Sequence, residues 1–357
     1  MIFLSIGLPS RFAEWCDGVI CTIVHTAIGS FHVESGNTLD EIARAVLKSR
    51  APRLVIGARQ PSEDLRLALA EMGTRFVLAL DDPYAAFYNL VARHGLEWKT
   101  AIRATASSCA LTLGYQAMPG ALVVHASREG LEPIATARMI ARWFNIDLDN
   151  PAIATAVRGS DPDFVSARQE FQAWWSRIST SDRAVVDGAL GGYIEQTDTG
   201  RMGQITWARD LFSIGDEPDT AADRAIEISG PIRNLLFGPY ITLPCGHWHI
   251  TAVLAVSHQG IDMPFSMEVL AGPSCICLAR GMAEPRTEGI AEISAEFIVS
   301  ECTAQPISVR VANLRPARIG RLALGHVTLT PRPKPATEIP AELRAALGLP
   351  DRRIIGR

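Results

Sequence analysis

The sequence predicts an α/β domain built on a parallel sheet, followed by an antiparallel β-sandwich. Three observations carry this. The chain has 357 residues, too many for one ordinary core and comfortable for two domains. Short apolar runs alternate with amphipathic helical patterns through residues 1–149, as strands and crossover helices do. From residue 225 to 331 the hydrophobic period falls to two, with Gly and Pro turns between short runs.

The elements follow in order. Residues 2–6 form an apolar run ending in Gly7-Leu8-Pro9, a buried strand feeding a loop. Residues 15–26 alternate poorly and could be helix or strand. Asn37-Thr38 caps a helix that carries Leu39, Ile42, Ala43, Val46 and Leu47. Strands are expected at 53–56, 76–80 and 121–125, and helices at 63–72, 84–93, 98–113 and 133–144. Residues 163–178 read as a helix bearing Phe164, Phe171, Trp174 and Trp175, with 182–223 a partly helical stretch, so that 150–224 is a connector. In the sandwich, Trp248, Ile250, Ala252 and Leu254 alternate with His247, His249, Thr251 and Val253. Further strands are expected at 265–270, 275–279, 291–299, 307–311 and 321–329. Residues 332–357 are a Pro-rich tail with one short helix at 341–347.

Composition excludes several classes. A net charge of −4 provides no field for nucleic acid, and the basic pair Arg352-Arg353 is local. No apolar run approaches the roughly 20 residues of a membrane helix. The N-terminus has no basic region and meets Pro9 and Arg11 at once, unlike a signal peptide. Seven scattered cysteines do not form a disulfide framework. A cytoplasmic protein is expected.

An α/β nucleotide site should lie at the first strand–loop–helix, where free N–H groups and the helix dipole favour an anion. There the chain reads Gly7-Leu8-Pro9-Ser10-Arg11, with Trp15 close behind. This loop resembles the phosphosulfate loop of the sulfotransferases. Residues 77–90, with Asp82-Pro83 between strand and helix, resemble that family's 3′-phosphate segment. Residues 121–131 and 133–146, the latter ending Trp143-Phe144-Asn145-Ile146, resemble two further family segments in the same order. The resemblance covers 1–149 and implies a sulfotransferase-like P-loop type domain. It also implies that Gly7, Pro9, Ser10 and Arg11 form the donor loop.

The departures from the family bear on activity. Phe12 stands where the family has glycine, so it is expected to crowd the loop and hinder close approach of a phosphate to the backbone, and Glu14 brings a carboxylate to the helix start. Asp81 and Asn89 occupy the places of the phosphate-binding arginine and serine. Two anions at roughly 4 Å repel by ~4 kcal/mol at an effective dielectric of 20. Hence no bound cofactor is expected, 3′-phosphoadenosine 5′-phosphosulfate included. For a catalytic base, which the family places beyond the first helix, His25, His32 and Glu34 are candidates, His32 and Glu34 foremost. A lone histidine beside Val24 or Val33 is more often a structural or surface residue.

In the second domain, Cys245, His247 and His249 share strand parity. Soft and imidazole ligands suit zinc or copper, but no second cluster accompanies them, and no metal site is expected. Cys275 and Cys277 read as small buried hydrophobes. The text around Gly230-Pro231 and Gly238-Pro239-Tyr240 resembles a β-sandwich module found beside bacterial glycosyltransferases and polysaccharide-assembly proteins. That resemblance implies glycan handling, with Trp207, Arg233, Tyr240, His247 and His249 as candidate contacts. Trp248 and Tyr240 could instead be core, and Arg233 a buried polar anchor.

Two functional classes follow. One is a non-catalytic or strongly diverged sulfotransferase-like protein of bacterial surface polysaccharide synthesis, whose partners are a glycan or an assembly protein. The other is a transferase with a divergent donor site, acting on a glycan. The aromatic-rich helix over 164–175 is also a candidate homo- or hetero-oligomer interface.

Overall fold

The structure is a computed structural model that describes residues 1–49, 52–126, 132–160, 164–300 and 305–333. Nearly all of the tail at 332–357, with its expected helix at 341–347, lies outside the described residues, as does the end of the family-like segment 121–131.

The first domain alternates as expected: β1 (Ile2–Gly7), α1 (Arg11–Ile28), β2 (His32–Ser35), α2 (Leu39–Lys48), β3 (Leu54–Ala58), α3 (Glu63–Met72), β4 (Phe76–Leu80), α4 (Pro83–Ala92), α5 (Trp98–Gln116), β5 (Ala121–His125) and α6 (Pro133–Trp143). All five strands pair in parallel, in the order β2-β3-β1-β4-β5. The open reading of 15–26 resolves as helix. Phe12, Trp15, Cys16, Val19, Ile20 and Ile23 recur at three- and four-residue spacing and bury one face of α1 against the sheet. Thr38 and Glu41 form the full capping box of α2.

Helices α7 (Asn150–Gly159), α8 (Phe164–Trp175) and α9 (Thr180–Thr199) follow. The expectation of a connector running to residue 224 needs correcting. Strands β6 (Ile205–Ala208), β7 (Ser213–Ile214) and β8 (Glu217–Ala221) already belong to the sandwich sheets. They are two to five residues long, too short for a period to stand out, and β8 is a polar edge strand containing Pro218. The sandwich continues with β9 (Ile226–Glu227), β10 (Asn234–Thr242), β11 (Gly246–Val256), β12 (Phe265–Ala271), β13 (Ile276–Ala283), β14 (Gly289–Val299), β15 (Pro306–Asn313) and β16 (Arg321–Arg332). One sheet has six strands, in the order β13-β12-β15-β10-β7-β8. The other runs β14-β11-β16-β6, with β9 added on β16.

The two domains share a core. Phe87, Ile102 and Leu190 of α4, α5 and α9 pack in one cluster with Trp207, Ile241 and Trp248 of the sandwich. α9 lies close on β6: a Cβ on Gly188 would sit 2.7 Å from the Thr206 carbonyl oxygen, so a glycine is needed there. Arg103 on α5 donates to the carbonyls of Pro239 (2.8 Å) and Leu211 (3.1 Å), and the Thr242 N–H donates to Ser107 Oγ (3.1 Å). These bonds satisfy backbone groups at the domain junction.

Candidate functional site

Strand order locates the first candidate site. The chain leaves β1 toward β2 on one side and leaves β4 toward β5 on the other, so the carboxyl ends of β1 and β4 flank the topological switch point. Gly7, Pro9, Ser10 and Arg11 lie there, facing Asp81 and Asp82.

Each group of this loop is already engaged. Gly7 is pressed against β4, where a Cβ would stand 2.5 Å from the Ala79 carbonyl oxygen. Ser10 is the N-cap of α1 and fully buried, and its hydroxyl accepts from Ala13 N at 3.3 Å. Arg11 turns onto α8 and pairs with Glu170 at 3.2 Å. Asn89, 1% exposed, donates both to Pro9 O (3.2 Å) and to Glu14 Oε1 (3.0 Å), so it clamps the loop from α4. Glu14 also meets His94 at 3.2 Å and Arg93 at 3.8 Å. At the second anion position, Asp82 caps α4 by accepting from Tyr84 N at 2.8 Å, and Asp81 accepts from Asp82 N at 2.8 Å. The protein's own carboxylates therefore stand at the starts of both helices.

One expectation is corrected here. Phe12 does not crowd the mouth of the loop. It is fully buried in the core behind it, stacked on Trp15 at 5.8 Å, because its position on α1 faces the sheet. On the Leu8 side of the loop, α5 and α9 leave little room. The cavity between Leu8, Asp81, Cys109, Thr112 and Tyr193 measures about 20 Å³. That holds about one water, whereas small-ligand sites run to roughly 300–1,000 Å³.

His32 and Glu34 are hydrogen-bonded to each other at 2.9 Å, on one face of the edge strand β2. The structure does not bring them to the donor loop. Register puts Glu34 level with Ile56 and so with Leu4, and His32 level with Leu54 and so with Ile2. Glu34 is then about 10 Å short of Gly7 along the strands and about 10 Å to the side, with His32 further still. Glu34 instead lines a separate cleft of about 440 Å³ with Asp17, Ser35, Gly57 and Arg59. Asp17 is paired with Arg59. Burial pushes the Asp17 carboxyl up, while Arg59 and the Ser5 hydroxyl draw it down, and the net direction is up. Asp17 and Arg59 were not singled out in the sequence. Their meeting depends on the crossover of α1 above β3, which no local pattern reveals.

In the sandwich the five sequence candidates scatter. Trp207 is fully buried and cannot present a face to a sugar, which overturns that expectation: β6 is the end strand of its sheet, and α9 packs on it. Arg233 is an anchor. It pairs with Asp216, donates to Glu227 O at 2.6 Å, and its N–H donates to Asn313 Oδ1 at 2.8 Å. His247 and His249 face outward from β11; His249 stands opposite Glu296 and His247 opposite Ile298, with the His247 ring 3.6 Å from Glu296. Trp248 takes the core, 2% exposed, with Nε1 donating to Pro244 O. Tyr240 is 49% exposed on the other sheet, so its core alternative fails. A bulge after Pro239 and a φ of 64° turn it out of the strand alternation. Cys275 and Cys277 are exposed, not buried: they lie at the start of β13, an edge strand. Among the described residues, no group of three or more His, Cys, Asp and Glu side chains could hold a metal ion.

Around Tyr240 the structure gathers residues that the sequence did not single out. Phe237 meets Tyr240 edge to face at 6.3 Å, and register places Arg310, Glu268 and Arg280 beside Phe237 in one row.

A parallel-sheet α/β domain joined to an antiparallel β-sandwich is the class that the two sheet systems define. No family model matches the chain, and no curated protein matches it. Over its N-terminal part the chain is similar to a mouse sulfotransferase solved in complex with PAP, at 14% identity and a TM-score of 0.40, covering 56% of this chain and 85% of that one. Over its C-terminal part it is similar to carbohydrate-binding β-sandwiches. The sugar-binding C-terminal domain of EclA matches at 16% identity and TM-score 0.24, covering 30% of this chain and 77% of that one. The C-terminal CBM6 of LamC from Zobellia galactanivorans matches at 18% and 0.20, covering 29% and 73%. Among the described residues no helix is long and apolar enough to cross a membrane.

Proposed function

We propose that this chain is a non-catalytic, glycan-handling protein of bacterial surface polysaccharide synthesis, in which a sulfotransferase-like domain has become a scaffold for the sandwich. The observation that carries the reading is the filled switch point. Ser10 is spent as a cap, Asn89 and Glu14 hold the loop, Asp81 and Asp82 face it, and about 20 Å³ remains beside Leu8. A phosphosulfate needs free N–H groups, uncommitted cations and space; here Ser10 N donates to Leu8 O, Ala13 N to Ser10 Oγ, and Arg11, Arg93 and His94 pair with the protein's own carboxylates. The exposed thiols Cys245, Cys275 and Cys277 suit a reducing cytoplasm. The sandwich supplies the recognition surface, with Tyr240 as its aromatic platform. The test incubates the full chain with radiolabelled sulfate donor and a panel of glycan acceptors. No label should move, while one or more of the glycans is retained by the protein. Multiple turnover would refute the scaffold role.

The second cleft supports a second reading, a transferase with another donor. There Arg59 would be the anion-binding cation and Glu34, steadied by His32, the base. In that case Glu34→Gln abolishes transfer by the full chain. An unchanged rate would remove Glu34 from the chemistry.

A further inference from the structure

The outward face of the six-stranded sheet carries a row fixed by register. Arg280 on β13 stands opposite Glu268 on β12, Glu268 opposite Arg310 on β15, and Arg310 opposite Phe237 on β10. Directly paired residues share a face, and the opposite parity of β12 (Phe265, Met267, Val269) is fully buried in the sandwich core. The row therefore points away from that core. Over four strands it spans about 14 Å. On either side lie Ser266 and Ser308, each 6% exposed. Beyond Phe237 stands the half-exposed ring of Tyr240.

The charges in the row are unequal. Glu268 is tightly paired with Arg280 through Oε1, whereas Arg310 stands 3.8 Å from its other oxygen. Two guanidinium groups share one carboxylate, so the row carries a net charge of about +1, within a chain whose net charge is −4. Arg310 is the more loosely held of the two, and its side chain is 34% exposed. A planar guanidinium offers paired N–H donors that match a carboxylate or a sulfate. An aromatic face next to such a fork would hold the sugar ring that bears the anion.

We propose that this row is the glycan site of the sandwich and that it selects acidic glycans. The anionic group docks on Arg310 and the sugar ring on Tyr240. This rests on the glycan-handling reading above and adds the ligand's charge to it. Glu268 acts as the brake: it half-neutralises the site, so removing its charge tightens binding.

Affinity gel electrophoresis of the full chain tests this, with polygalacturonate, a sulfated galactan and an uncharged galactan in separate gels. At least one acidic polymer should retard the protein more than the uncharged one does, and added salt should weaken the effect. The stronger of the two acidic gels distinguishes carboxylate from sulfate. Arg310→Gln should lower the acidic affinity by about tenfold, a step usual for one charge-assisted contact. Glu268→Gln should raise it, which loss of a merely structural ion pair would not do. Melting curves confirm that both variants are folded. Equal retention of the uncharged galactan, released by Tyr240→Ala but untouched by Arg310→Gln, would overturn acid selectivity and leave glycan handling intact. Acidic retention indifferent to both charge substitutions would overturn the placement. Retention of no polymer would remove both readings together.

Discussion

Substituting Glu14 by Gln separates two reasons for exclusion of a nucleotide from the β1–α1 loop: charge and space. Glu14 lies beside the loop, since Asn89 bridges its carboxylate at 3.0 Å and Pro9 O at 3.2 Å. An anion seated on the loop amides at roughly 4 Å would be repelled by at most ~4 kcal/mol at an effective dielectric of 20. The Glu14 side chain is 42% exposed and is shared with Arg93 and His94, so solvent and counter-charge reduce this to about 2 kcal/mol. Were charge the whole obstacle, Glu14→Gln would improve binding of adenosine 3′,5′-bisphosphate by about thirtyfold. The cavity on the Leu8 side of the loop is about 20 Å³, however, and Glu14→Gln opens none of it. The expected gain is therefore less than about twofold, within error of no binding, by isothermal calorimetry. Micromolar binding by the variant would show that helices α5 and α9 do not close the crevice, and the steric part of the reasoning would fall.

Three further outcomes follow from the same geometry. Asp17 should titrate above the usual carboxylate range in a carboxyl NMR pH series, and Arg59→Gln should move it higher still by removing the charge that opposes burial. Because the folded state then holds a proton that the unfolded state has released, stability falls as pH rises from the ordinary carboxylate value through the raised one. Asp17→Asn should flatten that part of the stability profile, and an unchanged slope would contradict the assignment. Thiol labelling mapped by mass spectrometry should modify Cys245, Cys275 and Cys277 rapidly. Cys16 and Cys109, whose thiols burial pushes up, should react only in denaturant, and Cys21, pushed up to about 11, should react slowly. Trp207→Phe should leave glycan retention unchanged, since the ring is buried. Its stability cost should stay under about 3 kcal/mol, because the indole N–H has no hydrogen-bond partner among the described residues to lose. Loss of retention by a stably folded variant would reopen Trp207 as a contact.

The elements legible in the sequence are those whose burial is written locally. The β1, β3, β4 and β5 strands are short apolar runs because a parallel sheet is covered on both faces. β11 shows its alternation because one face meets the core and the other does not. By contrast β2, His-Val-Glu-Ser, is an exposed edge strand with no apolar signature, and β6 to β8 are too short to show a period. The donor loop could be located by its glycine, proline and capping serine, but its closure could not. Cys109, Thr112 and Tyr193 arrive from helices far along the chain. Tyr240 was legible as an aromatic, while its exposure depends on a bulge that reverses the expected face. Arg280, Glu268, Arg310 and Phe237 become neighbours only through the register of four strands. Similarly, the separation of His32 from Arg11 becomes visible only once the sheet order is known.

The most direct test is a crystal of the full chain grown with saturating adenosine 3′,5′-bisphosphate. The crevice between Leu8, Asp81 and Tyr193 should hold nothing larger than water, with Asn89 still bonded to Pro9 O and Glu14. A 5′-phosphate resting on the amides of Ser10 to Phe12, with the adenosine ordered beside β4, would contradict the scaffold account.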